Sequence, residues 1–118
     1  MTDRRRVVGA SGEEAVARWY EARGYDVVDR NWRVHSGEID IVATGRGTLV
    51  FCEVKTRRSD AFGSPFEAVT TRKQQRLRSL AREWLSAHDV RAGAVRFDVA
   101  AVVPSARGWV VDVLEAAF

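Results

Sequence analysis

Residues 37–57 read GEIDIVATGRGTLVFCEVKTR, and this stretch decides the fold. Two runs rich in apolar residues, 38–43 and 48–55, are separated by the tetrapeptide TGRG at 44–47. Such runs are typical of β-strands, and a short connection that contains glycines is typical of a hairpin. We therefore predict an antiparallel pair of strands joined by a turn.

The sequence before the hairpin predicts one helix and one strand. Ser11 and Glu14 have the spacing of a capping box, and the apolar residues after them recur with helical periodicity. This pattern predicts an amphipathic helix over 12–23, preceded by a basic tail at 1–10. A first strand is expected within 25–34, where apolar and polar residues are mixed.

The sequence after the hairpin predicts a second helix and two more strands. Thr71 and Gln74 offer another capping box, and apolar residues then repeat with a helical period over 71–87. Apolar residues alternate along 95–103, and a further apolar run follows a turn at 109–114. We expect an α/β fold in which a central mixed sheet of about five strands is flanked by two main helices.

The length and composition of the chain limit the classes of protein that it can be. Its 118 residues leave room for one domain, and 46% hydrophobic with 30% charged residues is the composition of a folded globular protein. No apolar run approaches the roughly 20 residues of a membrane-spanning helix, and no signal-peptide pattern follows the basic start. The single cysteine, Cys52, excludes an internal disulfide and a cysteine-rich zinc site. We expect a cytoplasmic protein that does not contact membranes.

Positive charge is concentrated in the predicted second helix. The net charge of the whole chain is only +3, yet this helix carries five basic residues against one acidic residue. A cationic helix face can follow a phosphate backbone, and a solvated helix surface is the alternative. We expect contacts with nucleic acid from this helix and from the segment just after the hairpin. The residues concerned are Arg57, Arg58, Arg72, Lys73 and Arg76.

Two acidic side chains, Asp40 and Glu53, stand inside the apolar runs of the hairpin. Burying a carboxylate is costly unless a cation accompanies it. Residues i and i+2 of a strand share a face, which puts Glu53 beside Lys55, one of only two lysines among 19 basic residues. Folding about the turn could bring Asp40 and Glu53 to one ion, and their oxygen ligands favour Mg²⁺ or Mn²⁺. The alternative is an exposed Glu53–Lys55 pair worth about 0.2–1 kcal/mol, and the register decides between the two.

The order of these motifs resembles that of a known protein family. Gly37-Glu38-Ile39-Asp40 followed by Glu53-Val54-Lys55 is similar to the D…(D/E)-x-K core of restriction-endonuclease-like nucleases, especially archaeal Holliday-junction resolvases. The chain more closely resembles the YraN-like uncharacterised protein family. The segments that carry this resemblance are Gly12-Glu13, Asn31-Trp32-Arg33, Gly37-Glu38-Ile39-Asp40, 51–57, Arg72-Lys73-Gln74 and Arg96-Phe97-Asp98-Val99.

The resemblance implies a restriction-endonuclease-like fold and roles for five residues. Asp40, Glu53 and Glu13 would bind Mg²⁺ or Mn²⁺. Lys55 would orient or help deprotonate the attacking water and stabilise charge on the phosphate. Gln74 would hydrogen-bond the scissile phosphate or its water.

Other interpretations of the less central residues stay open. Glu13 could instead be a favourable charge at a helix amino terminus, and Gln74 could serve only as a capping partner of Thr71. Glu38 is either a partner of the site or a solvated strand residue. We interpret Asp98 as structural.

Together these observations predict a Mg²⁺-dependent endonuclease that acts on structured or double-stranded DNA. A homodimer would help so short a chain to span a branched substrate. The first alternative is a catalytically weak or inactive nucleic-acid-binding module of a repair or recombination assembly. The second is a scaffold protein, which requires the basic helix to be solvated surface.

Overall fold

The helices and strands occur in the predicted order, which is one helix, three strands, a second helix and two strands. A computed structural model of the protein describes residues 4–57, 66 and 69–118. Its elements are α1 (Arg4–Ala22), β1 (Asp26–Val34), β2 (Gly37–Gly45), β3 (Thr48–Thr56), α2 (Thr71–His88), β4 (Ala94–Ser105) and β5 (Gly108–Leu114). The predicted α/β fold with five strands and two main helices is confirmed. In these described ranges, no helix is long and apolar enough to cross a membrane.

The five strands form one mixed sheet in the order β1-β2-β3-β4-β5. β3 and β4 are parallel, whereas every other neighbouring pair is antiparallel. Parallel neighbours need a crossover connection, and the segment that contains α2 supplies it. The sheet is therefore mixed because a helix interrupts an otherwise continuous series of hairpins.

Alternating residues of the strands divide the core into two clusters, one on each face of the sheet. The α1 cluster contains Val16, Ala17, Tyr20, Tyr25, Ile41, Ala43, Val50, Cys52, Ala100 and Val102. The α2 cluster contains Ile39, Val42, Leu49, Phe51, Leu77, Leu80, Ala81, Trp84 and Phe97. Since successive strand residues enter different clusters, each helix packs on its own face.

Helix α1 begins earlier than predicted. It begins at Arg4 rather than at residue 12, so it includes part of the stretch predicted as a basic tail. Ser11 therefore lies within the helix, and the predicted capping box is wrong. Glu14 instead accepts hydrogen bonds from Arg18 at 3.3 Å and from Arg30 of β1 at 2.6 Å. Glu14 thus ties α1 to the edge strand of the sheet.

Helix α2 begins at the predicted residue and ends one residue later than predicted, at His88, but it has a different cap. The capping residue is Thr70, whose side chain accepts a hydrogen bond from the backbone nitrogen of Lys73. The prediction of Thr71 as the cap is wrong by one residue. Gln74 does not pair with Thr71 but donates its side-chain amide to the backbone oxygen of Val69 at 3.2 Å.

The connection between β2 and β3 is shorter than predicted. Gly45 pairs with Thr48, which leaves Arg46 and Gly47 as a two-residue turn. Both residues have positive φ, 54° and 75°, as a type I′ turn requires. The predicted hairpin is confirmed. Its turn is residues 46–47 rather than 44–47, because residues 44 and 45 pair with β3.

Asp98 lies at the centre of a buried polar network. It is 0% exposed and accepts hydrogen bonds from the Tyr20 hydroxyl at 2.6 Å, the Arg96 guanidinium at 2.8 and 3.0 Å, and the backbone nitrogen of Ala116 at 3.0 Å. These contacts join β4 to α1 and to the segment after β5. Asp98 is therefore a structural residue, as the sequence predicted.

Candidate functional site

Asp40 marks the point at which the ladder between β2 and β3 ends. The last regular pair on this side is Ile41 with Cys52. Beyond it, the Asp40 Oδ2 atom accepts a hydrogen bond from the Val54 nitrogen at 2.8 Å. The alternation along β2 also breaks here, since Ile39 enters the α2 cluster and Ile41 the α1 cluster. The carboxylate thus replaces a backbone acceptor where the two strands part.

Two further carboxylates meet Asp40 at this position. One oxygen from each of Glu13, Glu38 and Asp40 lies within 4.8 Å of the other two. We call these three residues the carboxylate triad. It draws on two elements, since Glu13 belongs to α1 and the other two residues to β2.

Gly12 lets α1 come close enough for Glu13 to join the triad. A Cβ atom on Gly12 would lie 2.9 Å from Thr56 Oγ1 and 3.7 Å from Val102 Cβ. Glycine inside a helix costs about 1 kcal/mol relative to alanine. Here its missing side chain allows the helix to approach the end of β3, next to the site.

Glu53 and Lys55 form an ion pair beside the triad. The Lys55 Nζ atom lies 3.1 Å from Glu53 Oε1, and the two side chains are only 23% and 22% exposed. The prediction that these residues share a face of β3 is confirmed. Glu53 stands outside the group of oxygens that defines the triad, but it is the nearby charge with the largest effect on Asp40. The triad's two glutamates and the charge of Glu53 are therefore all electrostatic neighbours of Asp40.

The electrostatics of the site reflect burial and crowding of like charges. Burial, and then the negative charge of Glu53, raise the pKa of Asp40 to about 7, against the opposing hydrogen bond from the Val54 nitrogen. Burial also raises the pKa of Glu13, and a hydrogen bond from the Asn31 side chain partly offsets this. An added cation would relieve both effects, because it favours the ionised form of each carboxyl.

A small cavity lies between helix α2 and two of the acidic residues, Glu38 and Glu53. Its volume is about 140 Å³, and its lining includes Glu38, Glu53, Lys73 and Arg76, together with Gly37, Leu77 and Leu80. Lys73 and Arg76 lie about one helical turn apart. The cavity therefore has carboxylates on the sheet side and two cations on the helix side.

The remaining predicted residues are distributed around this centre. Arg72 is exposed on α2, and Gln74 is held by its bond to Val69 outside the cavity lining. Arg57 donates its backbone nitrogen to the Val102 oxygen at 2.8 Å. Arg58 lies outside the described residues. A catalytic role for Gln74 and phosphate contacts by the arginines stay predictions.

Glu38 is the member of the triad to which the sequence analysis assigned no definite role. It was interpreted either as a partner of the site or as a solvated strand residue. The signal that could have found it is its spacing, because Glu38 and Asp40 stand two positions apart on a strand, as Glu53 and Lys55 do. Asn31 and Arg33 of β1, which contact the glutamates of the triad, carried no assigned role.

Known proteins similar to this chain share most of its length. The model of the uncharacterised protein family UPF0102 matches residues 12–102. A UPF0102 protein of Beutenbergia cavernae is 55% identical and aligned over 86% of each chain. UPF0102 proteins of Rhodococcus jostii and Clavibacter michiganensis are 50% and 51% identical over 81% of each chain. The matched range includes the carboxylate triad and the Glu53–Lys55 pair.

Proposed function

This chain belongs to the uncharacterised protein family UPF0102, and we propose that it is a metal-dependent endonuclease that hydrolyses phosphodiester bonds in structured or double-stranded DNA. The observation that carries the proposal is that Asp40 shares the triad with two glutamates and is also affected by the negative charge of Glu53, which pairs with Lys55 at 3.1 Å. Carboxylates that can hold a metal ion, with an ammonium close by, suit the hydrolysis of a phosphodiester, because its transition state is strongly anionic.

The donor set suits a hard divalent cation. The ligand atoms on offer are all carboxylate oxygens, which Mg²⁺ and Mn²⁺ prefer. Two oxygens bound to one Mg²⁺ at about 2.1 Å lie at most about 4.2 Å apart, and the triad oxygens, all within 4.8 Å of one another, need only small rotations to reach this. We propose that Asp40, Glu13 and Glu38 of the triad would hold Mg²⁺ or Mn²⁺, and that Glu53 would be a further ligand from the neighbouring strand.

Lys55 and Glu53 would act together at the attacking water. A bound divalent ion supplies Lewis-acid polarisation of the phosphate and a more acidic water. The Lys55 ammonium, held 3.1 Å from Glu53, would orient that water and neutralise charge on the phosphate oxygens. Lysine suits this place because its compact charge and adjustable proton affinity differ from those of arginine.

The cations of α2 support a polyanionic substrate. Lys73 and Arg76 line the same cavity as Glu38 and Glu53, so they would bind phosphates on either side of the one that reacts. Contacts of this kind position the backbone without reading its sequence. We therefore infer specificity for the shape of the DNA rather than for a base sequence.

The setting of the protein is part of the proposal. Cys52 is buried and free, which agrees with a reducing, cytoplasmic compartment. A homodimer that places two such sites on a branched substrate stays a prediction.

One observation favours a second candidate, a DNA-binding module with little or no cleavage. The carboxylate of Glu53 is already compensated by Lys55 at 3.1 Å, as it would be in a purely structural ion pair. In that case α2 would still bind phosphates, but the Glu53–Lys55 pair would take no part in a reaction.

The test is metal-dependent cleavage of duplex, branched and single-stranded DNA. We expect Asp40→Asn, Glu53→Gln and Lys55→Met each to reduce cleavage at least about 100-fold, the usual loss when a charge-stabilising group is removed. Glu21→Gln, at an exposed position of α1, is the matched control and should cleave like the wild type.

Two outcomes would contradict the proposal. Binding of DNA without cleavage in either Mg²⁺ or Mn²⁺ would favour the binding module. A binding constant that does not change with salt would exclude both candidates, because neutralising phosphates releases counterions.

A further inference from the structure

The segment Asn31-Trp32-Arg33 of β1 has no role in the chemistry described above, yet it contacts two of the three residues of the carboxylate triad. We propose that Asn31 and Arg33 are positioning residues that hold Glu13 and Glu38 beside Asp40. This inference rests on the proposed function, because it assigns the two residues to the metal ligands of that site.

Asn31 lies across the β1–β2 ladder from Asp40. Its neighbours pair in register, Arg30 with Ile41 and Trp32 with Ile39, so Asn31 is the position that faces Asp40. Its φ is +51°, in the left-handed region that few residues other than glycine and asparagine adopt. Backbone strain of this kind concentrates at functional sites. The Asn31 side chain is a hydrogen-bond partner of the Glu13 carboxyl.

Arg33 contacts the second glutamate, Glu38, through an ion pair. It pairs with Glu38 directly across the β1–β2 ladder, and its Nε atom lies 3.4 Å from Glu38 Oε2. The Arg33 side chain is 74% exposed, and an exposed pair of this kind contributes little to stability. Its effect is therefore on the direction of the Glu38 carboxylate rather than on the fold.

Trp32 fixes the segment between these two contacts. It packs against the α2 cluster, and its ring meets that of His88 edge-on at 5.9 Å between centroids. The central residue of the segment is thus anchored in the fold, while the residue on each side contacts one glutamate of the triad.

The contacts of Asn31 and Arg33 offset the repulsion among the three carboxylates of the triad. Three carboxylates within 4.8 Å repel one another, so Glu13 and Glu38 would rotate towards solvent unless other groups held them. A neutral amide on one and a guanidinium on the other keep both in place without occupying Asp40. Groups that orient metal ligands in this way typically change metal affinity by about 10- to 100-fold when they are removed.

The test compares Mn²⁺ affinity, measured by isothermal titration calorimetry, with a spectroscopic signature in the metal-free protein. Asn31→Gly removes the amide but keeps the left-handed backbone accessible, and Arg33→Gln removes the charge. We expect each to weaken Mn²⁺ binding by about 10-fold or more. Asn31→Gly should also shift the ¹³C resonance of the Glu13 carboxyl at constant pH, whereas Arg33→Gln should shift that of Glu38.

Matched controls exclude general effects of backbone and charge. Ala116→Gly replaces another residue with positive φ, +50°, and Arg107→Gln removes a positive charge from the exposed β4–β5 turn. Both should bind Mn²⁺ like the wild type. Loss of affinity in these controls equal to that in the test variants would overturn the inference.

The remaining outcomes separate this inference from the proposed function. If the wild type binds Mn²⁺ and both test variants bind it equally well with unshifted glutamate resonances, the positioning role is wrong and the metal site stands. If the wild type binds no Mn²⁺, the proposed function fails, and the inference fails with it.

Discussion

Two buried or half-buried aspartates, Asp98 and Asp40, occupy strands of the same sheet but have opposite surroundings. Asp98 is enclosed by donors, namely a hydroxyl, a guanidinium and a backbone nitrogen. Asp40 accepts one bond, from the Val54 nitrogen, and its other influential neighbours are carboxylates. The chemistry of the side chain is the same, so the neighbours decide what it does.

The difference shows that Asp98 stabilises the fold, whereas Asp40 is held in the fold without a compensating positive charge. Donors compensate the charge of Asp98 inside the protein, and the result is a fixed joint between β4, α1 and the segment after β5. Burial, and then the negative charge of Glu53, raise the pKa of Asp40 to about 7, against only one hydrogen bond, from the Val54 nitrogen. A site that raises the pKa of its own acid is one that a cation from outside can stabilise.

The largest expected effect tests the structural half of this comparison. Asp98→Ala leaves the Arg96 guanidinium and the Tyr20 hydroxyl without their main partner. Breaking a buried pair on one side typically costs about 3–5 kcal/mol, and we expect a loss of that size in the free energy of unfolding, measured by denaturant titration.

Asp112→Ala is the control for that measurement. Asp112 is an exposed strand residue of β5, and such substitutions usually change stability by less than about 0.5 kcal/mol. A loss below about 1 kcal/mol for Asp98→Ala would show that the two aspartates do not differ in the way described.

Local periodicity was enough to predict one side of the site. The i and i+2 rule placed Glu53 beside Lys55, and the structure has them 3.1 Å apart. The hairpin that carries them followed from two apolar runs and a glycine-rich connection. These features depend on a few neighbouring residues, which is why the sequence alone contained them.

The other side of the site did not follow from periodicity, because it depends on irregularity; only the family resemblance placed Glu13 with Asp40. Asp40 reaches its neighbours where the β2–β3 ladder stops, opposite an asparagine with positive φ. Neither the end of the ladder nor the approach of α1 over Gly12 follows from periodicity. The start of α1 was mispredicted for a related reason, since a capping-box pattern at Ser11 and Glu14 also occurs inside a longer helix.

The second prediction sharpens the comparison through pH. Because the folded pKa of Asp40 is about 7 against an ordinary value of 3.8, the folded protein binds this proton more tightly than the unfolded chain. The contribution of Asp40 to stability is therefore greatest below pH 3.8 and is lost as the pH rises through 7. Asp40→Asn, which cannot ionise and can still accept from Val54, should be more stable than the wild type at pH 8 by up to about 4 kcal/mol.

This advantage should shrink towards pH 5, in denaturant titrations performed with a chelator to remove divalent ions. Asp26→Asn, at an exposed position of β1, should show no such trend. If Asp40→Asn were less stable than the wild type at pH 8, the carboxylate of Asp40 would be compensated after all, and its resemblance to Asp98 would be closer than the structure indicates.

The smallest expected effect tests whether the triad depends on how closely α1 approaches β3. Gly12→Ala places a methyl group 2.9 Å from Thr56 Oγ1, so the helix or the threonine must shift. We expect Mn²⁺ affinity to fall about threefold, or roughly 0.7 kcal/mol, because Glu13 moves with the helix. Thr56→Ala removes the obstructing oxygen, and the double variant should recover most of the affinity. Recovery would identify a steric effect on Glu13, since a change in helix propensity at residue 12 would be the same in both backgrounds. If the double variant bound Mn²⁺ as weakly as Gly12→Ala alone, the contact with Thr56 would not set the position of Glu13.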